Sequence, residues 1–349
     1  MLSNSLYRKQ IESSIDQSDL PWENLKNASV LVTGAAGLLG SCFVDFLLYL
    51  NEKKNYNISI FALGRNKEKL EKRFAEYLNK SYFNILAVDL SHEYNTDEKF
   101  DYILHAASNA NPYMYAHYPV DTLMANVVGT NTVLKIAENS KSRKVIFVSS
   151  GEMYGQPDET TEENGFYEDY CGKVDYTSSR SCYPAGKRAA EVLCQSYALQ
   201  YNIDVSIVRP CHCYGPTMDS ADNRAISAFF RTVLDGNDIV LKSDGSLVRS
   251  HCYVTDAALA MFYVLFSSEK CGAYNIADRD SVCSIRKLAE LISESKNKKV
   301  LFDLPTDLER LGFSKVVRAV LDPSKLEKIG WKAKVNIQDG VNSTIEILS

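Results

Sequence analysis

The chain has 349 residues, with 39 Lys and Arg against 44 Asp and Glu, for a net charge of −5. That is long enough for one large domain or two intimate ones, and an apolar share of 45% with few glycines and prolines excludes collagen-like and disordered classes. The acidic balance gives no footprint for nucleic acid or an anionic membrane surface, and the longest apolar stretch, Cys42 to Leu50, is broken by Asp45 and too short to span a bilayer.

Residues 1–27 are polar and read as a short N-terminal extension, one helix long. Ser29–Thr33 is a buried, β-rich run that ends in glycines. Helical patterning follows over 38–50, then a strand over 58–63, a charged helix over 67–79 and a third strand over 82–88. A fourth strand at Tyr102–His105, a helix over 119–139 and a fifth strand over 144–149 continue the alternation. After a long polar loop come a helix over 183–201 and a sixth strand over 204–209. Strands alternating with helices predict an α/β fold whose doubly wound parallel sheet is covered on both faces. The dinucleotide-binding part is expected over 28–210, with a return segment near 250–280. Residues 211–349 are expected to form mostly a smaller, mixed substrate-binding domain. The segment 156–181 has no apolar period and is long for a connector, so it reads as a functional covering element. The opening residues lack the apolar core of a signal peptide, which predicts a cytoplasmic chain whose nine cysteines stay reduced.

Thr33-Gly34-Ala35-Ala36-Gly37-Leu38-Leu39-Gly40 joins the first strand to the first helix. Glycines at such a junction permit a tight turn and close backbone approach to a pyrophosphate. The helix start supplies unpaired N–H groups and partial positive charge. In a βαβ setting this string predicts a dinucleotide site.

Tyr183 and Lys187 lie four apart in the helix over 183–201, so both face the same way. An ammonium beside a phenol favours the phenolate and predicts a lowered tyrosine pKa. With 21 tyrosines this spacing arises easily by chance. Its position gives it meaning, because Ser149 and Ser150 close the fifth strand at the end where ligands sit in a doubly wound sheet. Ser150 is placed to hydrogen-bond a substrate hydroxyl while Tyr183 takes its proton.

The Gly-x-x-Gly-x-x-Gly spacing resembles that of extended short-chain dehydrogenases/reductases, the epimerase/dehydratase family with its Rossmann-type fold. Asp89-Leu90 looks like that family's adenine contact, His105-Ala106-Ala107-Ser108 its loop beside the phosphates, and Asn126-Val127-Val128-Gly129-Thr130 its central helix. The resemblance implies cofactor contacts at Gly34, Ala36, Gly37, Leu38, Gly40, Arg65, Asn66, Asp89, Leu90, Ala106, Ala107, Ser108, Asn126, Ser149, Tyr183, Lys187, Pro210 and His212. It implies catalysis by Ser150, Tyr183, Lys187 and Glu152. Leu63-Gly64-Arg65-Asn66 carries no carboxylate for a ribose 2′-hydroxyl, so NAD and NADP both stay open. Within the family, Pro112-Tyr113-Met114-Tyr115, Arg180-Ser181-Cys182-Tyr183 and Val248-Arg249-Ser250 resemble the UDP-glucuronate decarboxylases (UDP-xylose synthases). That likeness implies substrate contacts at Asn111, Tyr113, Tyr115, Glu152, His212 and Arg249.

Three positions depart from the decarboxylase pattern: Gly151 replaces a serine, His212 an asparagine and Thr217 an arginine. An imidazole titrating near neutrality at His212 would bind or catalyse. Cys211 and Cys213 lack a second ligand pair, so no metal is expected. The reading is an enzyme that oxidises the C4 hydroxyl of a nucleotide sugar, decarboxylase-like in pattern. A 4-epimerase, a 4,6-dehydratase and an NADPH-dependent keto-sugar reductase are alternatives, and a non-catalytic dinucleotide sensor is the rival from another class. The resemblance also implies a homodimer through the helices at 119–139 and 183–201, with no nucleic-acid or membrane partner.

Overall fold

A computed structural model describes residues 1–110, 112–303 and 316–349. The first helix, Ser5–Asp16 (α1), starts where Asn4 Oδ1 accepts the N–H groups of Leu6 and Tyr7, a side-chain N-cap. Its apolar face carries Tyr7, Ile11 and Ile15 into the main core cluster, so the N-terminal segment is packed into the body of the protein. Next come Ser29–Thr33 (β1), Leu38–Lys54 (α2), Ser59–Gly64 (β2), Lys67–Arg73 (α3), Phe83–Ala87 (β3) and Tyr102–His105 (β4). Pro112–His117 (α4), Pro119–Ser140 (α5), Lys144–Val148 (β5), Glu159–Asn164 (α6), Cys182–Tyr201 (α7) and Val205–Pro210 (β6) follow. The last third holds His212–Tyr214 (β7), Ala225–Leu234 (α8), Ile239–Leu241 (β8), Val248–Tyr253 (β9), Val254–Phe266 (α9) and Ala273–Ile276 (β10). It ends with Val282–Ser284 (β11), Ile285–Glu294 (α10), Val300–Phe302 (β12), Arg318–Ala319 (β13), Ser324–Lys328 (α11) and Ile337–Leu348 (α12).

The doubly wound sheet is present as expected. Seven parallel strands run in the order β10-β6-β5-β4-β1-β2-β3, with β10 the strand of the return segment. Alternation of buried elements explains the layers. α2 and α9 are apolar nearly all round and pack with α1 on one face. Val133, Leu134 and Ala137 of α5 and Ala190 and Cys194 of α7 cover the other face. The strand order reverses between β1 and β4, which opens a crevice beyond their carboxyl ends. A second, mixed sheet joins β7, β9, β11 and β13, and β8 pairs with β12.

Two local expectations change. The charged helix stops at Arg73 because Phe74 turns into the core, and a short 3-10 turn at Ala75–Tyr77 takes over. The polar loop contains α6, held by an Asp158–Thr161 capping box. Beyond α6, Phe166 bridges to Leu321 near the C-terminus, with Phe166 N–H donating to Val320 O at 2.8 Å. Among the described residues no helix is long and apolar enough to cross a membrane.

Candidate active site

The Gly-rich loop sits at the crevice. Gly34 has φ +66°, and a Cβ there would lie 2.7 Å from the Ala106 carbonyl carbon, so only glycine fits between the loop and the strand beside it. A Cβ on Gly40 would run into the Gly34 carbonyl. Gly37 caps α2 with no side chain, leaving first-turn N–H groups open toward the crevice. Thr33 Oγ1 meets His105 Nδ1 at 2.7 Å and accepts Ala107 N–H at 3.2 Å, which locks the loop after β4 against β1. Ser108 Oγ donates to Asn126 Oδ1 at 2.9 Å, so α5 fixes the same loop from behind. Leu90 is buried and packs close to Gly129. A glycine turn packed this closely on the neighbouring backbone, beside a helix start with no side-chain cap, fits a dinucleotide pyrophosphate.

α7 brings Tyr183 and Lys187 under the end of β5. Lys187 Nζ donates to Val148 O at 2.7 Å and lies over the rings of Phe147 (4.8 Å) and Tyr183 (5.8 Å). The Tyr183 phenol interacts with the hydroxyls of Ser150 and Tyr115, and the Tyr115 ring stacks on it at 4.7 Å. The triad named from sequence is therefore one cluster. The expected lowering of the phenol's pKa is not found. Burial and the charge of Glu152 push Tyr183 up to about 12 against the pull of Ser150, Arg224 and Tyr115. Lys187 is itself drawn down to about 7 by burial, opposed by Glu191, so near neutrality it brings only part of a positive charge.

Ser150 Oγ accepts Glu152 N–H at 3.2 Å, which starts the 3-10 turn Gly151–Tyr154. Glu152 faces Arg180 NH1 at 3.4 Å, and the Arg180 guanidinium lies 5.3 Å above the Tyr115 ring. Arg249 is buried, donates to the carbonyls of Val248 (2.8 Å), Val316 (2.9 Å) and Val317 (3.1 Å), and feels the charge of Glu152. His212 does not titrate near neutrality. Burial, then the charges of His251, Arg249 and Arg224, hold it at about 3, a neutral imidazole. The family serine at 151 has no counterpart here, and a Cβ on Gly151 would come 3.1 Å from Leu321 Cδ1. Thr217 Oγ1 donates to Leu38 O at 2.9 Å, tying the C-terminal part onto the Gly-rich loop.

Other predicted positions are dispersed. Tyr113 is half exposed and packs edge-on against His117 at 4.2 Å. Asn111 lies outside the described residues. Asn66 Oδ1 is used to cap α3, accepting Lys69 N–H at 2.9 Å. Ser149 is buried, and among the described residues its Oγ has no hydrogen-bond partner. Among the described residues no group of three or more His, Cys, Asp or Glu is arranged to hold a metal ion.

Sequence reasoning left out Arg188, Asn109 and Arg224. Arg188 donates to Met153 O (2.6 Å), Tyr154 O (2.9 Å) and Gly172 O (2.7 Å), clamping the turn that bears Ser150 and Glu152. Its adjacency to Lys187 was the available signal. Arg224, paired with Asp222, bears on Tyr183 and His212 through a loop with no motif.

The model of the NAD dependent epimerase/dehydratase family matches residues 30–277. UDP-glucuronic acid decarboxylase 6 of Arabidopsis thaliana is 30% identical over 319 residues, covering 90% of this chain and 87% of that protein. UDP-glucuronic acid decarboxylase 1 of Danio rerio is 27% identical, covering 98% and 78%. Among solved structures, the UDP-N-acetylglucosamine 4-epimerase from Methanobrevibacter ruminantium superposes with a TM-score of 0.77 at 23% identity, covering 92% of this chain and 98% of that one. The UDP-glucuronic acid 4-epimerase from Bacillus cereus gives 0.77 at 20% identity with the same coverage. These structural likenesses concern the fold. With the family match spanning the crevice, the Gly-rich loop and the Ser150–Tyr183–Lys187 cluster, the chain belongs to the NAD dependent epimerase/dehydratase family.

Proposed function

We propose that this chain oxidises the C4 hydroxyl of a nucleotide sugar and acts as a UDP-glucuronate decarboxylase-like enzyme. The observation that carries this is the meeting of Ser150, Tyr183 and buried Lys187 beside a carboxylate, Glu152, that has Arg180 at its side and feels the charge of Arg249. Ser150 hydrogen-bonds the C4 hydroxyl, and Tyr183 as phenolate takes its proton. Lys187, held by Val148 O under the tyrosine ring, supports that phenolate when it carries its proton. A bound nicotinamide dinucleotide supplies the hydride acceptor. Arg180 and Arg249 are the cations that would hold a sugar carboxylate at C6, which stands β to a C4 ketone and leaves as CO₂. Loss of CO₂ leaves an enolate that takes a proton at C5, and Tyr183 gives its proton back to the C4 oxygen as the C4 ketone recovers the hydride from the dinucleotide.

Leu321 at the place of an acid or hydroxyl favours loss of CO₂, which needs no leaving-group acid, over loss of water. Incubation with UDP-glucuronate, UDP-glucose and dTDP-glucose, read by product mass, tests this. Loss of CO₂ from UDP-glucuronate supports it, and loss of water or an unchanged mass from every sugar rejects it. A net keto-sugar reductase is the second reading, favoured by Arg65 in place of a carboxylate at the end of β2.

We also infer a homodimer through α5 and α7. Val120, Leu123 and Met124 on α5 and Val192 and Leu199 on α7 are exposed, with Leu199 at 91%. Light scattering on the Leu199→Glu protein should report a monomer where the unaltered chain reports a dimer. A monomeric unaltered chain rejects it.

A further inference from the structure

Lys187 and Glu191 lie four apart on α7, the spacing at which an ammonium and a carboxylate pair along a helix. Both are buried, with little solvent to screen them. Yet Lys187 Nζ donates to Val148 O at 2.7 Å, and Glu191 turns both oxygens to Arg209 of β6. Arg209 Nε reaches Glu191 Oε1 at 3.0 Å and its NH2 reaches Oε2 at 2.6 Å, a two-pronged grip.

The guanidinium is itself fixed from several sides. Arg209 NH1 donates to Tyr154 Oη at 2.9 Å and to Glu168 O at 2.6 Å, and the guanidinium lies 5.0 Å over the Tyr154 ring. Tyr154 in turn donates to Asn275 Oδ1 at 2.7 Å, and Asn275 Nδ2 donates to Phe166 O and Asp322 O. Arg209 therefore meets the helix that bears Lys187, the turn that begins at Ser150, and the segment that covers them.

The charges around Lys187 are few. Among the described residues Glu191 is the one carboxylate that bears on it. Burial holds the Cys194 thiol up and His105 down at about 3, so both are neutral, and the Tyr183 phenol stands at about 12. A buried carboxylate without a partner is costly, and contact with a nearby ammonium is what relieves it. Freed from Arg209, Glu191 would close the pair that the helix spacing offers and draw Nζ off Val148 O, away from the tyrosine.

We propose that Arg209 is a positioning residue for the catalytic lysine. By occupying both oxygens of Glu191 it keeps Lys187 beneath Tyr183, while the carboxylate stays charged one turn away and favours the ammonium. The proposal rests on the reading of Lys187 as the support of the Tyr183 phenolate and adds what keeps it there.

Carbon-13 NMR of the lysine Cε signals in the ligand-free chain reads the Lys187 ammonium, its signal assigned by its loss in Lys187→Met. The midpoint should lie near 7 in the unaltered chain. In Arg209→Met the released Glu191 captures Lys187, so the midpoint should rise by at least about one pH unit. Turnover of UDP-glucuronate should fall at least about tenfold with KM kept within about threefold. In Arg209→Met/Glu191→Gln the captor and its charge are both gone, so the midpoint should drop by at least about half a pH unit. Midpoints within about 0.2 unit of the unaltered chain, or moving the same way in both variants, overturn the proposal. Removing a buried pair together is tolerated better than removing one partner. If Arg209→Met does not fold, the double variant decides, and a midpoint there that stays or rises overturns the proposal. The titration needs neither sugar nor dinucleotide, so a chain that leaves UDP-glucuronate unchanged rejects the decarboxylase reading without deciding this one.

Discussion

Replacing Gly151 by serine restores the hydroxyl of the decarboxylase pattern, and the structure makes that change costly. The added Cβ would lie 3.1 Å and 3.2 Å from the two methyls of Leu321 and 3.5 Å from its Cγ. Leu321 has little room to give. It is 4% exposed, packs with Met153, Tyr154, Phe166 and Ala277, and its N–H is held by Ser250 Oγ at 3.0 Å. Overpacking of this kind costs about 1–3 kcal/mol. Serine's stiffer unfolded chain returns at most about 1 kcal/mol, leaving a net loss of roughly 1 kcal/mol. Leu321→Ala alone should cost about 2–5 kcal/mol by opening a cavity. In the double variant the serine occupies space that the leucine vacated, so the two costs should sum to less by at least about 1 kcal/mol. Urea denaturation of the four proteins measures this. Additivity within about 0.5 kcal/mol would refute the claim that Leu321 fills the place of the missing side chain.

Two further outcomes follow from named groups. Unfolded, Lys187 keeps its proton up to about 10.5; folded, it gives it up near 7. Between those values the unfolded state binds more protons, so the ligand-free fold gains stability as pH rises, by up to about 1.4 kcal/mol per unit. The stability difference between the unaltered chain and Lys187→Met should therefore grow from pH 7 toward 10, and a flat difference contradicts the burial argument. Arg188→Ala frees two carbonyls of the turn that bears Ser150 and Glu152 and the Gly172 carbonyl beside it. Turnover should drop about tenfold with dinucleotide affinity kept, and unchanged turnover would show that the clamp does not position the turn.

Much of the frame could be read from residue order, because it rests on local rules. Ser29–Thr33 is a short apolar run followed by glycines, and Gly34 and Gly40 sit where a side chain collides with backbone. The Tyr183–Lys187 spacing depends only on helical period. What escaped the sequence is set by tertiary surroundings. The charge state of Lys187 depends on burial and on Glu191, and that of His212 on burial, His251 and the nearby arginines. The tie of Arg65 to Asn109 joins two strand ends 44 residues apart. Leu321 fills the space at Gly151 from the far end of the chain, and no local pattern marks such a contact.

The central claim is oxidation at C4 by the Ser150–Tyr183–Lys187 cluster, followed by loss of the C6 carboxyl group. Mass spectrometry of the nucleotide sugar after incubation of UDP-glucuronate with the purified chain and with its Tyr183→Phe variant tests it most directly. The account predicts a product lighter by one CO₂ from the unaltered chain and unchanged UDP-glucuronate from the variant. A Tyr183→Phe protein that releases the same product at the same rate would contradict it.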